Sequence, residues 1–167
     1  MTPTDRRRTV LFLCTGNSAR SILAEFLLNH RAPTLFQAYS AGSNPRGEVH
    51  PLALRVLREQ FLIDPGGARS KSWEIYKDVR FDFVITLCDT ARESCPIWPG
   101  QPVVAHWGSA DLAAVEGSED RRAAAFSRVG NEIARRIDLF RALPIEKLDR
   151  LKLEALTCGI ADRGESR

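Results

Sequence analysis

Cysteine is scarce in this sequence: Cys14, Cys88, Cys95 and Cys158 are the only four in 167 residues. That is too few for a disulfide-stapled scaffold, and a chain of this length has a core large enough to need no staples. There is no CxxC pair and no HExxH, and His30, His50 and His106 lie far apart, so spacing gives no metal-ligand pattern. Long apolar runs are absent too. The longest are stretches such as residues 10–14, too short for a membrane span or for the apolar part of a secretory leader. Nor is there a large charge excess. Lys and Arg number 24 against 21 Asp and Glu, a net charge of +3 spread along the chain, which speaks against a nucleic-acid partner. Repeats, low-complexity tracts and Pro/Ser-rich linkers are missing. What remains, 44% apolar and 27% charged, is the composition of a soluble globular protein. The expectation is one cytoplasmic domain over residues 1–167.

Short apolar runs alternate with segments of helical periodicity. Residues 9–14 read as a fully buried strand, followed by a helix from about Arg20 to Asn29. Residues 36–41 read as a second strand closed by the turn-forming residues 41–47. Residues 50–61 are helical in spacing and stop near Asp64-Pro65-Gly66-Gly67. Residues 81–87 and 103–107 read as strands three and four. Ser118 caps a long helix with an apolar stripe of Phe126, Val129, Ile133, Ile137 and Phe140, ending before Pro144. Residues 145–156 read as one more helix, and Cys158, near its end, is expected to fill core. Strands alternating with helices predict a three-layer α/β/α domain with a mainly parallel sheet.

Such folds bind ligands at the carboxyl ends of their strands. Cys14-Thr15-Gly16-Asn17-Ser18-Ala19-Arg20-Ser21 falls there, between strand one and helix one. Five residues between Cys14 and Arg20 let the chain curl around a tetrahedral oxyanion with successive N–H groups turned inward, completed by the helix N-terminus. Gly16 and Asn17 tolerate left-handed backbone angles. Arg20 offers a planar fork to two oxygens. The same positive field favours Cys14 as a thiolate, and the Ser21 hydroxyl is placed to donate to the sulfur.

At these residues the sequence resembles the low-molecular-weight phosphotyrosine phosphatase family, and more closely its arsenate-reductase branch. The resemblance covers roughly residues 8–143 and leaves 144–160 as a helical extension. It implies a four-stranded parallel sheet, Cys14 as nucleophile, Arg20 as oxyanion clamp, and residues 15–19 with Ser21 as the substrate loop.

A phosphatase finishes its reaction with water and needs one cysteine. A reductase passing two electrons to arsenate needs a second thiol within reach. Cys88 and Cys95, separated by six residues directly after strand three and followed by Pro96, supply two. The branch resembled carries such a pair, which implies a Cys14–Cys88 disulfide, then Cys88–Cys95, reduced by a thioredoxin- or glutaredoxin-type protein. If these residues are helical, the two cysteines lie about 10 Å apart along the axis, whereas a disulfide needs Cα atoms within roughly 7 Å. The segment must therefore rearrange when the pair oxidises.

Asp111, in a loop after strand four, matches the family's acid, which protonates the departing oxygen. Leu112 follows it in place of the usual Pro, and no Tyr follows to grip an aromatic ring. That favours a small inorganic substrate, arsenate, with phosphate and sulfate as analogues. The other reading is a phosphatase for phosphotyrosine or small phosphomonoesters using Cys14, Arg20 and Asp111. Several reductases of the branch hold potassium with an Asn, a Glu, a Ser and an Asp. Asn17, Glu25 and Ser40 match, but Lys71 stands where the Asp would be. The expectation is no cofactor, with Lys71 either taking the cation's place or remaining a solvated charge.

Overall fold

The structure, a computed structural model, describes residues 6–163. Four parallel strands, β1 (Arg8–Cys14), β2 (Phe36–Gly42), β3 (Phe83–Thr86) and β4 (Val103–His106), form one sheet in the order β2-β1-β3-β4. β1 is central, and Val10, Leu11, Phe12 and Leu13 are wholly buried. An unbroken apolar run is what a strand covered on both faces requires. The register pairs Cys14 with Gly42, Leu13 with Thr86, and Thr86 with His106, so all four strands end at one edge.

Side chains alternate between the faces of a strand. Phe12, Phe36 and Phe83 therefore share a face, where Phe140 of α4 (Glu119–Arg141) and Trp107 join them in edge and tilted ring contacts. α1 (Arg20–Arg31) packs on β1, β2 and α4. Tyr39 points to the opposite face, which is covered by Tyr76, Phe81 and Trp98 from a 3-10 turn and loops.

α2 (Pro51–Arg55) passes into a π-helical turn in which the Phe61 amide donates to the Val56 carbonyl. α3 (Asp89–Glu93) is one short turn and a half after β3. Ser118 caps α4 as expected, accepting from the Arg121 amide at 3.2 Å. The expected single helix over residues 145–156 is corrected. A 3-10 turn (Ile145–Lys147) ends with Leu148 extended, and α5 (Arg150–Arg163) starts afresh. The cause is local: the Asp149 carboxylate accepts from the Lys152 amide at 2.9 Å and opens a new helix. Leu153, Thr157 and Ile160 form the buried stripe of α5 against β4 and α4. Cys158 lies beside that stripe, exposed, and is not core.

Candidate active site

β1 delivers Cys14 to the sheet edge and α1 begins at Arg20, so residues 15–19 must turn the chain in a tight curl. Asn17 takes the left-handed conformation (φ 44°). Gly16 does not, and the space beside it is filled by the Arg46 side chain. A second loop fastens the first. The amides of Ser43, Asn44, Arg46 and His50 donate to the carbonyls of Cys14, Thr15, Gly16 and Ser18. With those carbonyls occupied, the amides of residues 15–19 have no acceptor among the described residues. Consecutive unpaired N–H groups ahead of a helix N-terminus make an anion-binding concavity.

Gly42 makes this close approach feasible. A Cβ there would collide with the Thr15 carbonyl and lie 3.0 Å from the Asn17 Cβ and amide nitrogen. Nothing in the sequence distinguishes it from a turn glycine.

Buried Asn17 is held from both ends, its Nδ2 donating to Ser21 Oγ at 2.8 Å and its Oδ1 accepting from the Lys71 amide at 2.8 Å. Ser21 Oγ stands 2.9 Å from Cys14 Sγ. Because its oxygen already accepts from Asn17, the serine's own proton is directed at the sulfur. Beneath the loop, Lys71 Nζ donates to the Arg69 carbonyl at 2.8 Å and lies 3.3 Å from Ser40 Oγ and 3.5 Å from Asn17 Oδ1. Ser40 donates in turn to Glu25 Oε2 at 2.7 Å. Burial pushes the Glu25 carboxyl up, while Lys71 and Ser40 pull it back. Burial likewise pushes the Lys71 ammonium down against the attraction of Glu25.

A cleft of about 670 Å³ opens over the loop, lined by Cys14, Arg20, Arg46, Cys88, Ser109 and Asp111 among others. Arg20 Nη1 donates to the Ser109 carbonyl at 3.1 Å, and its Nη2 lies 3.9 Å from Asp111 Oδ1. Asp111 is exposed and also accepts from the Ala113 amide at 3.0 Å, so it caps a turn while facing the cleft. Leu112 is buried beneath it. Cys88 is buried, 3.1 Å from Thr15 Oγ1, and caps α3 by accepting from the Ala91 amide at 3.4 Å. Cys95 stands apart, partly buried and outside the cleft lining. Burial pushes its thiol up. Thus Cys14, Arg20, Cys88 and Asp111 are brought together and Cys95 is not. Arg46 escaped sequence reasoning, although the loop after β2 ends at the same edge and its position could have flagged it.

Among the described residues no group of three His, Cys, Asp or Glu side chains is placed to hold a metal ion, and no helix is long and apolar enough to cross a membrane.

Residues 9–107 match the family described as low molecular weight phosphotyrosine protein phosphatase. An arsenate reductase from Shouchella clausii is 37% identical over 134 residues, 80% of this chain and 95% of the relative. A solved arsenate reductase in its phosphate-binding state superposes with a TM-score of 0.64 at 26% identity, covering 78% of this chain and 94% of that one. A thioredoxin-dependent arsenate reductase from Corynebacterium glutamicum superposes with a TM-score of 0.60 at 29% identity, covering 84% of this chain and 64% of the other. With its phosphate-cradle loop and its matched span in agreement, the chain belongs to the low molecular weight phosphotyrosine protein phosphatase family.

Proposed function

We propose that this protein reduces arsenate to arsenite through a thiol–disulfide relay. The observation that carries this reading is the second thiol: Cys14 and Cys88 line one cleft, with Cys88 Sγ 3.1 Å from the Thr15 hydroxyl of the anion loop. A phosphatase has no use for it. The buried Leu112 beside Asp111 also leaves no aromatic there to grip a phenol ring. The arsenate reductases among the relatives support the substrate, and the thioredoxin-dependent one supports the class of reductant.

Arsenate sits on the amides of residues 15–19 with Arg20 on its oxygens. The Cys14 thiolate attacks arsenic, an S–As bond forms, and an As–O bond breaks with the oxygen leaving as water on a proton from Asp111. The Cys88 thiolate then attacks Cys14 Sγ. The S–S bond forms, the S–As pair stays on arsenic, and As(V) departs as As(III). Cys95 attacks Cys88 Sγ, freeing Cys14 as a thiolate, and an external dithiol of thioredoxin type reduces the Cys88–Cys95 bond. Because α3 and the turn after it separate these two cysteines, the segment must open for this step. Turnover on arsenate with thioredoxin, run beside turnover on an aryl phosphate, tests the reading. Sustained reduction of arsenate is expected; aryl-phosphate turnover without arsenate reduction would sink it.

The same reading has Lys71 in place of the potassium ion known in other members. What supports this is the position of its ammonium, 3.5 Å from Asn17 Oδ1 and 3.3 Å from Ser40 Oγ and attracted by Glu25. Melting temperature and rate should be the same in potassium and sodium salts at equal ionic strength. A melting temperature that climbs with potassium alone would refute this.

A further inference from the structure

We infer that Arg136 and α5 together form a brace that positions the loop carrying Asp111. The inference rests on the acid role proposed above for Asp111, and extends it to residues that touch no substrate.

Arg136, on α4, is 1% exposed, and its guanidinium reaches five groups on the loop and the two helices. Nη1 donates to the carbonyls of Trp107 (3.1 Å) and Gly108 (2.9 Å) and lies 3.4 Å from Ser109 Oγ. Nη2 donates to the Ala161 carbonyl on α5 at 3.2 Å. Glu132, one turn before Arg136, pairs with it at 3.0 Å and accepts from Ser109 Oγ at 3.0 Å. From the other side Trp107, fully buried, donates its indole N–H to the Thr157 carbonyl of α5 at 3.0 Å.

Three consecutive residues, 107–109, are therefore tied to α4 and α5 immediately before Asp111. The last of them offers its carbonyl to Arg20 at 3.1 Å. The brace thus ends on both the acid and the anion clamp. Stability alone does not account for it. Arg136 Nε is buried without a partner, and replacing such a buried charge by apolar side chains is often neutral or stabilising. What an apolar side chain cannot do is gather the carbonyls of residues 107 and 108 at one point.

A double-mutant cycle tests the brace. Trp107→Phe keeps a ring against Phe12 and Phe140 but removes the donor to Thr157. Arg136→Lys keeps a charge beside Glu132 but cannot fan out to the carbonyls. Each is made alone and with Asp111→Asn, and kcat for arsenate reduction is measured on full-length protein shown by thermal melting to be folded. If Arg136→Lys fails to fold, Trp107→Phe carries the test. Each single variant should lower kcat about five- to tenfold, part of the roughly hundredfold that a 1 Å misplacement costs. In the Asp111→Asn background the loss should be clearly smaller, because the part carried by the acid is already gone. Equal losses in both backgrounds, or no loss in either, would overturn the brace while leaving the acid role standing. An Asp111→Asn protein with wild-type kcat would overturn the acid role, and the brace with it.

Discussion

Gly42→Ala is the smallest change that should disable the site without touching a reacting group. Gly42 has no left-handed backbone angle, so alanine meets no conformational penalty there and the whole effect is steric. Its amide is pinned by the Lys71 carbonyl at 2.9 Å, so the strand cannot retreat. The added methyl would run into the Thr15 carbonyl and crowd Asn17 at 3.0 Å. Relief to an ordinary contact needs the loop to move by about 1 Å, which overpacking series place at roughly 1–3 kcal/mol of stability. Anion affinity should suffer more, since a displacement of that size costs about a hundredfold where geometry decides. The assay is thermal melting against inorganic phosphate. At phosphate one hundred times the wild-type Kd, linkage gives the parent about 2.7 kcal/mol, whereas a hundredfold weaker site would gain only about 0.4 kcal/mol. An alanine variant with wild-type phosphate stabilisation would refute both the steric argument and the assignment of residues 15–19 as the anion cradle.

Other outcomes follow from the cysteines. Cys14→Ser should abolish arsenate reduction and any aryl-phosphate hydrolysis, because a serine hydroxyl is not ionised at neutral pH; activity retained on either substrate removes Cys14 as nucleophile. Cys95→Ser should complete one turnover and stop with Cys14 joined to Cys88, seen by non-reducing peptide mapping, and normal multiple turnover with thioredoxin would exclude the three-cysteine relay. Since burial holds the Cys95 thiol above its ordinary value of 9.0, its thiolate fraction rises about tenfold per unit across the neutral range. Formation of the Cys88–Cys95 bond in a single turnover should therefore accelerate with pH toward 9, and a flat profile would show that Cys95 attack is not what limits it.

The anion loop and the four strands are legible in the sequence because their signals are local. An apolar run followed by C-x5-R-S states a strand, a cradle and a helix start within a dozen residues. Ser118 was legible as a cap for the same reason. Contacts between distant segments were not. The role of Gly42 depends on β2 lying beside β1 in one register, and only the assembled sheet brings it against Thr15. Arg136 falls between Ile133 and Ile137 of the apolar stripe, where a charge reads as a flank; its burial depends on carbonyls supplied by residues 107–108 and by α5. Cys158 was misread because Thr157, a polar residue, takes the inward position through a hydroxyl bond to the Leu153 carbonyl at 2.7 Å. The break before α5 was overlooked because Asp149 reads equally well as a surface charge or a cap.

The charges beneath the loop follow the same logic as the brace. Glu25 has its folded pKa raised, so its contribution to stability is present at low pH and lost as pH rises through that value. Lys71 has its folded pKa lowered, so its contribution is present at high pH and lost as pH falls through that value. Burial is the largest cause of both shifts, so placing this pair beneath the loop costs stability. The pair is therefore not there to hold the fold together. Its geometric consequence is to fill the space under Asn17, whose two ends reach Lys71 on one side and Ser21 on the other. Ser21 in turn meets the Cys14 sulfur. A chain of hydrogen bonds thus runs from a charge that burial disfavours to the atom that begins the reaction, as another runs from buried Arg136 to Arg20 through Ser109. In both cases a polar group is buried at some cost in stability, and a reacting group is held in place by the contacts it makes.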